Sequence, residues 1–102
     1  MKTLIAAVLA LAAAAPVLAA DAGLELATKK NCLACHSVDK KVVGPAYHDV
    51  SVKYKGDKTA LAKLTEKIQK GGAGVWGPVP MPPNQVTPDE AKTLATWVLS
   101  LK

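Results

Sequence analysis

Cys32 and Cys35 are separated by Leu33 and Ala34 and followed at once by His36. This is C-x-x-C-H, the spacing at which a chain holds a haem covalently. Two thiols with two residues between them can add to the two vinyl groups on one edge of a porphyrin. The histidine directly after the second thiol is then carried over the face of the macrocycle, where its imidazole can bind iron. These are the only two cysteines in the chain, so no disulfide framework competes for them. A zinc site built from the two cysteines with His36 and His48 is disfavoured, because consecutive Cys35 and His36 are poorly placed on one tetrahedral metal. His48 reads as a surface histidine.

A second chemical group stands in the segment Gly71 to Asn84, GGAGVWGPVPMPPN, which carries four of the seven glycines and four of the seven prolines. Such a segment is neither helix nor strand. It presents one soft side chain, Met81, between Pro80, Pro82 and Pro83. An isolated methionine is more often a gap-filler in a core. Here it is the only methionine beyond Met1, its loop is stiffened by prolines, and a haem motif stands upstream. A thioether axial ligand is therefore the favoured reading.

The elements that must position these groups lie after a leader. Met1-Lys2 is a short positive start, Thr3 to Ala15 is almost wholly apolar, and Val17 to Ala20 supplies small residues for cleavage. This predicts a secretory signal peptide over residues 1–20, cut after Ala19 or Ala20, because the apolar run is too short for a membrane span. Residues 21–102 form one small domain. Its core is limited by size, and with no disulfide available a cofactor is the natural staple.

The domain reads as all-α. A first helix is expected from Asp21, as its cap, to about Lys30, with Leu24 and Ala27 inward. Gly44-Pro45 opens a second, with Tyr47, Val50 and Tyr54 on one face. Gly56-Asp57 separates it from a third carrying Leu61, Leu64 and Ile68, which Gly71-Gly72 stops. Thr87-Pro88-Asp89-Glu90 combines an N-cap, a proline at the first helical position and a capping-box glutamate. Leu94, Trp97, Val98 and Leu101 then make the buried stripe of a terminal helix. Tyr47, Tyr54 and Trp97 read as core aromatics packed on helices or haem.

From about Leu24 to Lys102 the chain resembles the class I cytochromes c, of the small bacterial c-551/c-552 type. The resemblance rests on Cys32-Leu33-Ala34-Cys35-His36, Val43-Gly44-Pro45-Ala46-Tyr47, Gly74 to Asn84 and Trp97-Val98-Leu99-Ser100-Leu101-Lys102. It implies about four helices wrapped around one covalently bound haem c, with His36 and Met81 as axial ligands. It implies further that the Pro45 carbonyl accepts the ring N–H of His36, that Trp76 reaches a haem propionate, and that Asn84 lies near the Met81 sulfur. Lys67 stands where relatives often carry arginine, and lysine offers a propionate only a point charge.

Histidine and thioether together would fill both axial positions, leaving none for oxygen, peroxide or nitrite. The expected function is thus a periplasmic electron carrier and not an enzyme. A haem peroxidase would need an open axial site. A haemless thiol–disulfide protein would need a βαβ pattern that is absent. The resemblance implies redox partners such as a bc-type complex, a cytochrome oxidase or a nitrite reductase, met by a monomer with no stable membrane insertion. Residues 21–102 hold 12 lysines, no arginine and 8 acidic residues, so acidic docking surfaces are favoured. Nucleic acid is disfavoured by the missing arginine and the lack of a basic stripe with interleaved aromatics.

Overall fold

The computed structural model describes the backbone from Ala19 and the side chains from Ala22, in each case to Lys102. The signal segment before Ala19 lies outside the described residues. In chain order the described elements are α1 (Ala19–Lys29), a 3-10 turn (Cys32–Ala34), α2 (Tyr47–Lys53), α3 (Ala60–Lys70) and α4 (Pro88–Ser100). Among the described residues there is no strand, only two isolated antiparallel bridges. The all-α reading holds.

α4 is the hub, with α1, α2 and α3 each packed against it. Its start is the capping box foreseen from the sequence. Thr87 Oγ1 accepts the Glu90 N–H at 3.1 Å, and Glu90 Oε1 accepts the Thr87 N–H at 2.9 Å. Two of the orphan donors of the first turn are thereby satisfied. Leu94, Trp97 and Val98 are buried on its inner face with Ala91 and Ala95 beside them, and Leu101 is half-buried. At its far end the Ser51 hydroxyl of α2 donates to Leu101 O at 2.6 Å.

α1 differs from the expectation in two respects. Its described part already includes Ala19 and Ala20, so Asp21 lies within the helix instead of capping it; alanines at 19 and 20 are good helix formers. Leu24 is 42% exposed, not inward. The inner face is Gly23 with the fully buried Ala27, and a Cβ at Gly23 would run into the Trp97 side chain. Small residues four apart let α1 and α4 approach too closely for Leu24 to take that face.

α2 begins at Tyr47, two residues later than Pro45, with Tyr47 and Val50 buried and Tyr54 partly so. The Asp57 carboxylate opens α3 by accepting from Thr59 N at 2.8 Å and Thr59 Oγ1 at 2.6 Å, an Asx-type turn. Only Ala60 of α3 is buried. Leu64 and Ile68 touch the core but also border a cleft, which makes α3 a wall more than a core helix.

Candidate functional site

The cysteine motif lies on the 3-10 turn just after α1. Asn31 reverses the chain with φ 61°, a left-handed conformation that asparagine tolerates better than most residues. Cys32 O then accepts from the N–H groups of Cys35 at 3.2 Å and His36 at 3.0 Å. Cys35 O accepts in turn from Val43 at 3.1 Å and Gly44 at 2.7 Å, which folds the following loop back over the motif. That fold-back delivers the Pro45 carbonyl to His36, 2.8 Å from Nδ1. A carbonyl only accepts, so Nδ1 carries the ring proton and Nε2 keeps its lone pair for another partner. Gly44 makes room for the ring: a Cβ there would sit 2.5 Å from His36 Cε1 and 2.8 Å from Nδ1.

Met81 is positioned by main chain. Gly71, at φ 73°, ends α3, and a Cβ on it would collide with the Met81 carbonyl oxygen. Gly72 N donates to Met81 O at 3.0 Å and Met81 N to Gly72 O at 2.8 Å. This reciprocal pair closes the glycine-proline segment into a loop with Met81 at its base. Asn84 anchors the outgoing strand of the loop, its side-chain amide donating to Ile68 O at 2.9 Å and, more weakly, to Pro82 O at 3.5 Å. The first bond satisfies one of the orphan carbonyls of the α3 terminus. Trp76 lies further along the loop, 44% exposed, with Lys53 Nζ of α2 5.5 Å from its ring centre. That cation–π contact ties the loop to a second helix.

Both segments border one cleft of about 340 Å³, within the roughly 300–1,000 Å³ of small-molecule and cofactor sites. Cys35, His36, Pro45, Lys67, Trp76 and Met81 all line it. Its remaining walls are largely apolar, including Leu64, Ile68 and Val98. Two residues singled out in the sequence stand beside the cleft. Asn84 is engaged with α3 as described. Cys32 packs half-buried against the core cluster that contains Tyr47. Burial raises the pKa of the Cys32 thiol, partly offset by the neighbouring Tyr47 side chain. Burial first, and then the neighbouring Cys32, hold the Tyr47 phenol well above its usual range. Once bonded to a vinyl carbon, the Cys32 sulfur is a thioether and has no proton to lose.

His48 is not among the cleft residues. No group of three or more His, Cys, Asp or Glu side chains suited to a metal ion occurs among the described residues. Five residues act in ways the sequence did not foretell: Gly44 against His36, Gly72 paired with Met81, Leu64 and Ile68 as cleft wall, and Lys53 over Trp76. The Gly71-Gly72 pair was the available signal for one of them. Two adjacent glycines exceed what a helix stop requires and mark a close backbone approach.

The residues present suit a haem. An apolar cleft receives a flat macrocycle, the Cys35 thiol borders it with Cys32 three residues before on the same turn, and an imidazole with Nδ1 committed and Nε2 uncommitted is the state in which histidine binds metal. Comparison with known proteins agrees. The family profile described as Cytochrome c matches residues 20–102. Cytochrome c-551 of Pseudomonas denitrificans is 58% identical over 80 residues, which cover 78% of this chain and 98% of the relative. Cytochrome c-551 of Pseudomonas aeruginosa is 52% identical over 100 residues, covering 94% and 96%. The crystal structure of wild-type Nitrosomonas europaea cytochrome c552 superposes with a TM-score of 0.75 at 51% identity, covering 78% of this chain and 99% of that one. A C-x-x-C-H turn facing an apolar cleft, in a chain that matches these proteins nearly end to end, belongs to the cytochrome c family, among the small bacterial class I members that carry one covalently bound haem c.

Proposed function

We propose that this electron carrier works in the periplasm, with His36 and Met81 as the two axial ligands of its haem iron. The observation that carries the reading is the single cleft bordered by both side chains, each held by its own main-chain device. Haem c supplies a one-electron iron couple. The chain's residues decide what that couple can do.

His36 offers Nε2, and its Nδ1–H bond to Pro45 O raises ligand basicity and restrains the ring. Met81 offers a soft thioether, which favours ferrous over ferric iron and raises the potential. With His36 and Met81 both holding the iron, small molecules would find no place to react, and outer-sphere transfer of one electron would be what remains. The paired Gly72–Met81 main chain and the Asn84 staple hold the loop in place. Little rearrangement then opposes a change of iron oxidation state. Lys67 borders the cleft and offers a propionate a point charge, while the Trp76 indole N–H offers a donor.

The periplasmic address rests on the signal-like residues 1–20 and on the covalent attachment motif. A lysine-rich surface suits acidic docking faces on redox partners such as a bc-type complex, a cytochrome oxidase or a nitrite reductase. Absorption spectra of the purified protein, oxidised and reduced and then exposed to carbon monoxide, test the ligand set. A low-spin spectrum with a weak far-red sulfur-to-iron band and no response to carbon monoxide is expected. Ready carbon monoxide binding would show an open sixth position and defeat the reading.

A further inference from the structure

Three aromatic rings run in series from the cleft wall into the core. His36 and Tyr47 stack with centroids 4.7 Å apart and planes 18° apart, and Tyr47 meets Trp97 edge-on at 5.3 Å and 72°. Trp97 is 2% exposed and lies against Gly23 of α1. Tyr47 is held from two directions: it is 9% exposed, one ring neighbour is His36 and another is Trp97. The His36 ring by contrast has one hydrogen bond, from Nδ1–H to Pro45 O. A single hydrogen bond sets where an imidazole points and leaves rotation about that direction free. A flat neighbour restricts the rotation, because turning the ring breaks the stack.

We propose that Tyr47 is a positioning residue for the haem site: its ring sets the plane of the His36 imidazole. One side chain thus links the haem-site histidine to the α4 core. The inference rests on the ligation of His36 proposed above. It has an electronic consequence. The plane of an axial imidazole selects which iron d orbital it overlaps, and so how unpaired spin spreads over the oxidised macrocycle.

The test is NMR of the holoprotein with Tyr47→Phe and Tyr47→Leu. Leucine removes the stack. It should reorder the haem methyl shifts of the ferric protein. It should also speed solvent exchange of the His36 Nδ1–H in the ferrous protein by about two- to tenfold, the weight of one aromatic pair. Backbone amides of α4 serve as the internal reference and should not follow. Phenylalanine keeps the stack, so His36 exchange should change less than about twofold and the order of the haem methyl shifts should be kept. An unchanged methyl order with Tyr47→Leu, or equal acceleration at His36 and α4, overturns the proposal. If Tyr47→Leu yields no folded holoprotein, Tyr47→Phe decides alone: His36 exchange faster by more than about twofold, or a reordered set of haem methyl shifts, overturns it. In the ferrous parent, His36 ring resonances pushed far upfield by the macrocycle report ligation itself. Their absence fails the ligation reading, whereas their presence with a negative Tyr47 result fails this one.

Discussion

At the scale of single residues, the site depends on contacts with almost no tolerance. Gly44 is one: with a methyl group there, His36 or the Pro45 carbonyl must move. Gly44→Ala should cost the holoprotein about 1–3 kcal/mol in a denaturant titration, the usual range for overpacking; an unchanged midpoint would mean that the ring has room to retreat. Met81 is the other. Its main chain is pinned to Gly72, so truncating the side chain removes the proposed ligand and leaves the loop's hydrogen bonds in place. Met81→Ala should lower the reduction potential by a substantial part of the roughly 0.8 V that axial ligands span. A redox titration giving the parent's potential would show that the thioether does not bind iron.

At the scale of elements, each helix contributes a different service. α1 packs closely through Gly23 and Ala27, α3 lends Leu64 and Ile68 to the cleft, and α4 anchors the rest. The start of α4 also carries a pH dependence. The Thr87 backbone N–H foremost, with Lys30 3.6 Å away, holds the exposed Glu90 carboxyl below its ordinary pKa. A group whose pKa is depressed by folding favours the folded state above its unfolded value. That contribution disappears as pH falls through the depressed value. Glutamine keeps an acceptor for Thr87 N–H but cannot titrate. Thermal melts of the parent and of Glu90→Gln should therefore differ near neutral pH and converge towards about pH 3, below the ordinary carboxylate range. Parallel curves across that interval would show that Glu90 does not drive the acid response.

At the scale of the whole molecule, size and charge set the limits. The described buried core is small, made of Ala27, Tyr47, Val50, Leu94, Trp97 and Val98 with a few alanines. A domain this small gains much of its stability from a cofactor that its helices can enclose. The excess of lysine works at longer range. Lysines at 29, 30, 40 and 41 flank the haem motif, with Lys53, Lys55 and Lys58 further along. Steering by such charges is screened by salt. The association rate with an acidic redox partner should fall as ionic strength rises in stopped-flow mixing. A rate independent of salt would remove steering from the account of partner encounter.

The sequence by itself determined whatever depends on neighbours within a turn or two. C-x-x-C-H, the capping box at Thr87 and Glu90, and the terminal-helix stripe of Leu94, Trp97 and Val98 are local patterns, and the structure keeps each of them. The all-α class and the cofactor followed from them. Tertiary structure alone decided which face each remaining element turns inward. Leu24 gave way to Gly23 because Trp97 occupies the space, and Leu64 and Ile68 face a cleft because α3 packs on α4 at the edge of it. The pairing of Gly72 with Met81, of Tyr47 with His36 and of Lys53 with Trp76 joins residues whose types do not specify one another. Periodicity and capping are short-range and survive in the bare sequence. Closeness of approach is a property of two surfaces at once, and exists only when the chain has brought them together.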